Sequence, residues 1–207
     1  MLRSHFKLNL FFLIKILFIY LSFLLSSYAG ELNTQKNLVS IGKDDAPVEI
    51  KIYSSLTCPH CADFHTNVLP KIKSKYVETG KVKLILIDFP LDELAFNASK
   101  LLHCVDTKDQ ISYLDTIYET QSEWTSGTSI SEINDNLRNI VQNFGVNQEK
   151  FDKCLNNQKV EDRILEGRIY GQKRYSIEST PTIVINDKKL NTEASFKNIE
   201  KKIEKFI

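Results

Sequence analysis

Cys58-Pro59-His60-Cys61 is the segment that most narrows what this chain can become, because it sits where one periodicity ends and another begins. Upstream, Val48, Ile50 and Ile52 alternate with Glu49 and Lys51, the period of a strand that runs to Tyr53. Downstream, Phe64, Val68, Leu69, Ile72 and Tyr76 lie close to one helical stripe, with Pro70 expected to kink it. Gly80 ends that helix. Val82 to Phe89 follows, and its centre, Leu84-Ile85-Leu86-Ile87, is apolar on both faces, as in a buried central strand. Strand, motif, helix, strand is a βαβ unit, right-handed by rule.

That placement has chemical consequences. The first cysteine falls at a helix N-terminus, where unpaired backbone N–H groups and the positive end of the macrodipole favour an anion such as a thiolate. Cys61 lies one turn inside and is shielded, which suits a resolving role. Pro59 fits a first helical turn, where no N–H is needed. His60 can offer a hydrogen bond or a positive charge to the Cys58 thiolate. Stabilising the thiolate stabilises the reduced form and makes the disulfide a stronger oxidant. A CxxC pair can also bind metal or serve as a plain structural bridge. Cys58, Cys61 and His65 have the C-x2-C-x3-H spacing of zinc ligands, but no second CxxC or paired histidine follows, so no metal is assigned. Haem attachment of the c type requires histidine directly after the second cysteine, where Ala62 stands. A purely structural bridge closing so short a loop gains little entropy.

Residues 1–29 differ from the rest. Arg3, His5 and Lys7 begin a basic start, an apolar stretch runs from Leu8 to Leu25 with one break at Lys15, and small residues end in Ser27-Tyr28-Ala29. This is the pattern of a secretory signal peptide, with cleavage expected near Ala29. A retained anchor over Leu8 to Tyr28 is the competing reading. Lys15 opposes it, since a charge in mid-span costs about 2.5–3.5 kcal/mol. The expected location is therefore the periplasm or another space outside the cytoplasm. The formal net charge of the whole chain is +1, which gives no footprint for nucleic acid. Export also bears on the cysteines beyond the leader, Cys58, Cys61, Cys104 and Cys154, since an even count outside the cytosol favours disulfides.

Beyond the leader the chain reads as one domain, residues 30–207. Glu31 to Ser40 is polar and taken as a flexible lead-in, and Gly42 to Pro47 as a turn. Leu91, Leu94, Ala95, Ala98, Leu101, Leu102 and Val105 keep helical spacing. Ile111 to Trp124 gives a second helix. Ser129 and Glu132 form a capping box for a third, through Ile133, Leu137, Ile140, Val141 and Phe144. Phe151, Cys154 and Leu155 mark a short fourth, and Val160 to Tyr175 a fifth, interrupted by Gly167 and Gly171. After Thr180-Pro181 the strand period returns over Thr182 to Ile185. Asn186-Asp187 turns it into a second strand around Lys189-Leu190, and a last amphipathic helix carries Phe196, Ile199, Ile203 and Phe206 against a lysine-rich face. The result is an α/β fold: a βαβ half and a ββα half, with an all-helical insertion over about residues 91–158.

These residues carry a family likeness. Tyr53-Ser54-Ser55-Leu56-Thr57-Cys58-Pro59-His60-Cys61, followed by Phe64-His65, resembles the bacterial periplasmic disulfide oxidoreductases of the DsbA type, in the thioredoxin superfamily. Thr180-Pro181-Thr182 is similar to that superfamily's cis-proline loop, and Gly42 to Val48 and Thr182 to Asn186 to its flanking strands. The likeness covers about Leu38 to Ile207. It implies a thioredoxin fold with an inserted helical subdomain. It also implies that Cys58 is an exposed nucleophile, Cys61 its buried partner and His60 the residue that tunes the thiolate. Pro181 would be cis beside the disulfide, with Thr180 pairing to an extended substrate. The implied substrates are folding exported proteins with free thiols, and the implied oxidant is a quinone-linked membrane partner. No cofactor is implied. In one respect the chain departs from the family: the best-known members carry a buried acid six residues before the first cysteine, where this chain has Ile52. Glu49 and Lys51 face away by parity.

Cys104 and Cys154 lie in the insertion and are read as a structural disulfide, which chain entropy values at roughly 4 kcal/mol. Two buried free thiols are the alternative. His65 and His103 have no evident partners and read as helix-surface or core residues. Trp124 reads as packing. Two other functions stay open: an isomerase or reductant on the same scaffold, since Thr before the cis-proline also occurs among isomerases, and a non-catalytic metal-binding protein.

Overall fold

The structure, a computed structural model, describes residues 13–20 and 38–207. Residues 13–20 are helical and exposed; cleavage near Ala29 and most of the leader lie outside the described residues. Among the described residues no helix is long and apolar enough to cross a membrane. Leu38–Ile207 is a compact unit and is described by itself.

Five strands form one sheet in the order β1-β3-β2-β4-β5: β1 (Val39–Ile41), β2 (Val48–Ser54), β3 (Val82–Asp88), β4 (Thr182–Ile185) and β5 (Lys188–Lys189). β2 and β3 are parallel, with Ser54 opposite Asp88, and the other pairings are antiparallel. β1 corrects the flexible lead-in expected over Glu31 to Ser40 at Val39 and Ser40, while residues 31–37 lie outside the described residues. Val39 pairs with Leu86 and is buried. Three residues are too few to show a period, so tertiary pairing alone makes this strand. Gly42 turns the chain away at φ +111°, where a Cβ would stand 2.6 Å from the Val82 carbonyl oxygen. Asn186 and Asp187, at φ 43° and 59°, make the tight hairpin from β4 to β5. The second strand there is Lys188–Lys189, shifted from the expected Lys189-Leu190, because Leu190 turns into the core.

Alternation splits the sheet side chains between two faces. Val48, Ile50, Ile52, Leu84, Ile183 and Ile185 pack on the helices that follow the motif and end the chain. Tyr53, Ile85, Ile87 and Val184 pack on Tyr175 and Ile177. Lys51 shares this second face. Its ammonium is 2.8 Å from Asp187, 3.1 Å from Glu49 and 3.3 Å from the Tyr175 hydroxyl. Burial alone would lower the Lys51 pKa, but the Asp187 hydrogen bond and the Glu49 and Tyr175 charges hold it above the usual lysine range.

The first helix, α1, runs through Pro59–Asp63, Phe64–Val68, Leu69–Ile72 and Lys73–Val77. Pro70, where a kink is expected, sits between two wider turns. A π-helical turn, Phe64–Val68, comes just before it, and a second, Lys73–Val77, follows. The wider turn absorbs the hydrogen bond that proline cannot donate. The helical core is built by α2 (Glu93–Leu102), α3 (Gln110–Glu119), α4 (Gln121–Trp124), α5 (Ile130–Gln142) and α6 (Gln148–Leu155). The expected second helix is thus two, broken at Thr120. Trp124 is buried in this core and donates from Nε1 to Ile117 O at 2.9 Å. Cys104, after α2, is bonded to Cys154 on α6, with Cα atoms 6.1 Å apart. At the start of α5, Ser129 accepts from the Glu132 N–H, while the Glu132 carboxylate accepts from Thr128 N, one residue before the capping-box position. α7 (Gln158–Tyr175) returns to the sheet. Gly171 permits this, since a Cβ there would meet the Tyr53 ring at 2.7 Å. α8 (Phe196–Ile203) closes the first face with Ile199 and Ile203.

Candidate active site

The end of β2 delivers the motif to the junction between sheet and helical core, and both Cys58 and Cys61 belong to the latter. Cys58 is the N-cap residue of α1 in extended conformation, with Pro59 in the first turn. Its carbonyl accepts from Cys61 N at 3.0 Å and Ala62 N at 3.1 Å. Both cysteines are thiols in this structure. Cys58 Sγ donates to the Thr180 carbonyl at 3.3 Å, and the Thr180–Pro181 peptide is cis. The fold therefore brings Cys58, Cys61 and the Thr180-Pro181 loop together. His60 is exposed, and among the described residues no hydrogen bond joins it to Cys58.

Cys58 is 9% exposed and Cys61 1%. The openly exposed nucleophile implied by the family likeness is corrected to one that reaches the surface at an edge, because Thr180 covers part of it. Burial pushes the Cys61 thiol up to about 12; contacts with Thr180 and Ser55 pull the other way, and Cys58 adds to the rise. A thiol so placed needs a route for its proton.

Side chains from the helical insertion hold the loop, and sequence reasoning missed them. Gln121 Nε2 donates to Leu56 O at 2.8 Å and to Cys58 O at 3.2 Å. Thr57 Oγ1 donates to Asp92 at 2.6 Å, and Asp92 also caps α2 through Ala95 N. Asp92 ahead of an apolar helical stripe was a readable cap signal. Gln121 left no signal.

A cavity of about 20 Å³, room for roughly one water, lies behind Cys61. Ser54, His65, Asp88 and Tyr118 border it. Here the reading of two partnerless histidines is corrected. His65 Nε2 lies 2.6 Å from Asp115, and its ring packs on Tyr118. His103 Nε2 lies 2.7 Å from Asp88. Burial holds His65 below the usual histidine value, the Asp115 hydrogen bond notwithstanding. Among the described residues no three His, Cys, Asp or Glu side chains gather as a metal site.

A family model described as thioredoxin matches residues 34–205. The crystal structure of alpha-DsbA1 from Wolbachia pipientis superposes with a TM-score of 0.75 at 30% identity, over 83% of this chain and 91% of that one. Oxidised BdbD from Bacillus subtilis superposes at 0.71 with 24% identity, a likeness of fold. The "probable disulfide bond formation protein D" of Bacillus anthracis is 28% identical over 172 residues, 80% of this chain and 76% of that protein. The "putative protein-disulfide oxidoreductase" of Rickettsia bellii is 28% identical over 152 residues, 73% of this chain but only 58% of its own length.

Proposed function

Because this chain belongs to the thioredoxin superfamily as a DsbA-type protein, we propose that it is a thiol–disulfide oxidoreductase that introduces disulfide bonds into folding proteins outside the cytoplasm. The observation that carries the reading is Cys58 at the N-cap of α1, with Cys61 buried behind it and the Thr180 carbonyl against its sulfur. In the oxidised protein a substrate thiolate attacks Cys58 Sγ. The Cys58–Cys61 bond breaks, Cys61 leaves and takes up a proton, and a mixed disulfide remains on Cys58. A second substrate thiolate then attacks the substrate sulfur of that bond. Cys58 leaves as a thiolate at the helix N-terminus. The substrate has lost two electrons and the Cys58–Cys61 pair has gained them. An extended substrate strand lies along Thr180-Pro181. A membrane oxidase takes the electrons onward, and residues 1–29 direct export.

Replacing Cys61 by Ala removes the intramolecular exit. Mixed disulfides on Cys58 should then accumulate in cells, and their identification by mass spectrometry names the substrates. Their absence under oxidising growth overturns the reading. Thr180 favours a second reading, isomerase or reductant. Refolding of a scrambled disulfide substrate separates isomerase from oxidase, and equilibration with glutathione separates a reductant, at about −270 mV, from an oxidant, at about −120 mV.

A further inference from the structure

Closing the disulfide requires Cys61 to surrender a proton although it is buried, and Ile52, on the strand leading to the motif, offers no acid or base. Solvent does not reach its sulfur freely. What borders it is the small cavity, lined by Cys61 and not by Thr180. Asp88, at the end of β3, borders this cavity next to Ser54, its partner across the parallel ladder. Of its two carboxylate oxygens only Oδ2 is hydrogen-bonded among the described residues, by His103 at 2.7 Å. The carboxylate is therefore held through Oδ2, and Oδ1 has no hydrogen-bond partner among the described residues. Ser54 and Tyr118 add their hydroxyls to the lining. The volume suits one water.

We propose that Asp88, oriented by His103, is the proton relay of Cys61. The inference rests on the thiol–disulfide reading given above. In a mixed disulfide between Cys58 and a substrate sulfur, the Cys61 thiol gives its proton across the cavity to the Asp88 carboxylate. The Cys61 thiolate attacks Cys58 Sγ, forming the Cys58–Cys61 bond and expelling the substrate thiolate, which takes a proton from solvent. Asp88, whose side chain is 12% exposed against 5% for His103, then releases its proton to solvent. One S–S bond forms and one breaks, with no external oxidant. In the opposite direction Asp88 returns the proton to Cys61 as it leaves. His103 acts through Asp88 and is a positioning residue.

Other titratable groups face this space. His65, on α1, borders the cavity but its Nε2 is engaged by Asp115 of α3. Tyr118, on the cavity, and Tyr113, outside its lining, are both on α3 and feel the Asp88 charge, and burial raises the pKa of both hydroxyls well above the usual tyrosine value. Neither tyrosine can therefore accept the proton as an anion near neutrality, and Asp88 is the carboxylate that borders the cavity.

The test is rapid-quench kinetics of the reduced protein with oxidised glutathione, followed by mass spectrometry between about pH 5 and pH 9. The first phase is attack by Cys58 and the second is closure by Cys61. Asp88→Asn should slow closure by about tenfold or more near pH 6. The gap should narrow as pH rises and hydroxide takes over as acceptor. His103→Gln should slow it in the same sense by less. The pH profile of Cys58 alkylation should not move, which a merely structural lesion would not spare. Closure at the parent rate across the range, or a matching change at Cys58, overturns the inference. If Asp88→Asn does not fold, His103→Gln decides by the same criteria. Failure of the parent protein to form any mixed disulfide sinks the functional reading itself, and is distinct from normal closure in the variants.

Discussion

His65 stands directly after Phe64, one turn beyond Cys61, and its character comes from residues that the local sequence does not contain. Asp115 is 50 positions away and Asp88 lies 15 positions from His103, while Lys51 reaches Asp187 across 136. The two cysteines, Pro59 and the Thr180-Pro181 pair were legible because each is contiguous and tied to a strand or helix end. The partnerships were not, because a pairing across the fold leaves no spacing to read. His65 also carries a pH consequence. Burial lowers its folded pKa beneath the ordinary 6.5. The unfolded chain then binds the proton more readily, so the contribution is whole above the unfolded value and is lost as pH falls through the folded one. The parent protein should lose stability between about pH 7 and pH 5 more steeply than His65→Gln, read by urea midpoints at each pH. Equal slopes would show that His65 is not the titrating group.

At the scale of elements, the long periodic segments were readable and the short or interrupted ones were not. β3 declared itself by four consecutive apolar residues, and α5 and α8 by their stripes. β1 has three residues and exists because β3 needs a partner on its outer edge. Pro70 is flanked by two wide turns that the sequence pattern did not announce, and they accommodate its missing donor. Thr120 divided one apolar run into α3 and α4, for which the stripe gave no sign. The bond between Cys104 and Cys154 joins the end of α2 to α6. Replacing both by Ala should lower stability by about 2–4 kcal/mol, seen as an earlier denaturation midpoint, with attack by Cys58 on glutathione disulfide retained. Loss of that attack would place the bond in the chemistry instead of the scaffold.

For the molecule as a whole, the unit Leu38–Ile207 has a sheet core and a helical core, and the motif belongs to the helical one while hanging from the sheet. The existence of both halves could be read from the order of periods along the chain. The placement of β1 beside β3, and of the cysteines in the helical core, depends on packing between distant segments. An oxidising pair is one whose reduced protein is the more stable, and each 30 mV of potential corresponds to about 1.4 kcal/mol. In protein lacking Cys104 and Cys154, so that only one pair responds, reduction should raise the urea midpoint. A lower midpoint on reduction would mark a reductant. Gln121 adds a mechanical consequence. Its amide grips the peptide oxygen of Cys58 itself, which already serves two helix N–H donors. A tilt of the inserted helices cannot be taken up silently at a hinge. It pulls on the carbonyl of the attacking residue, so the insertion and the loop that carries Cys58 move as one.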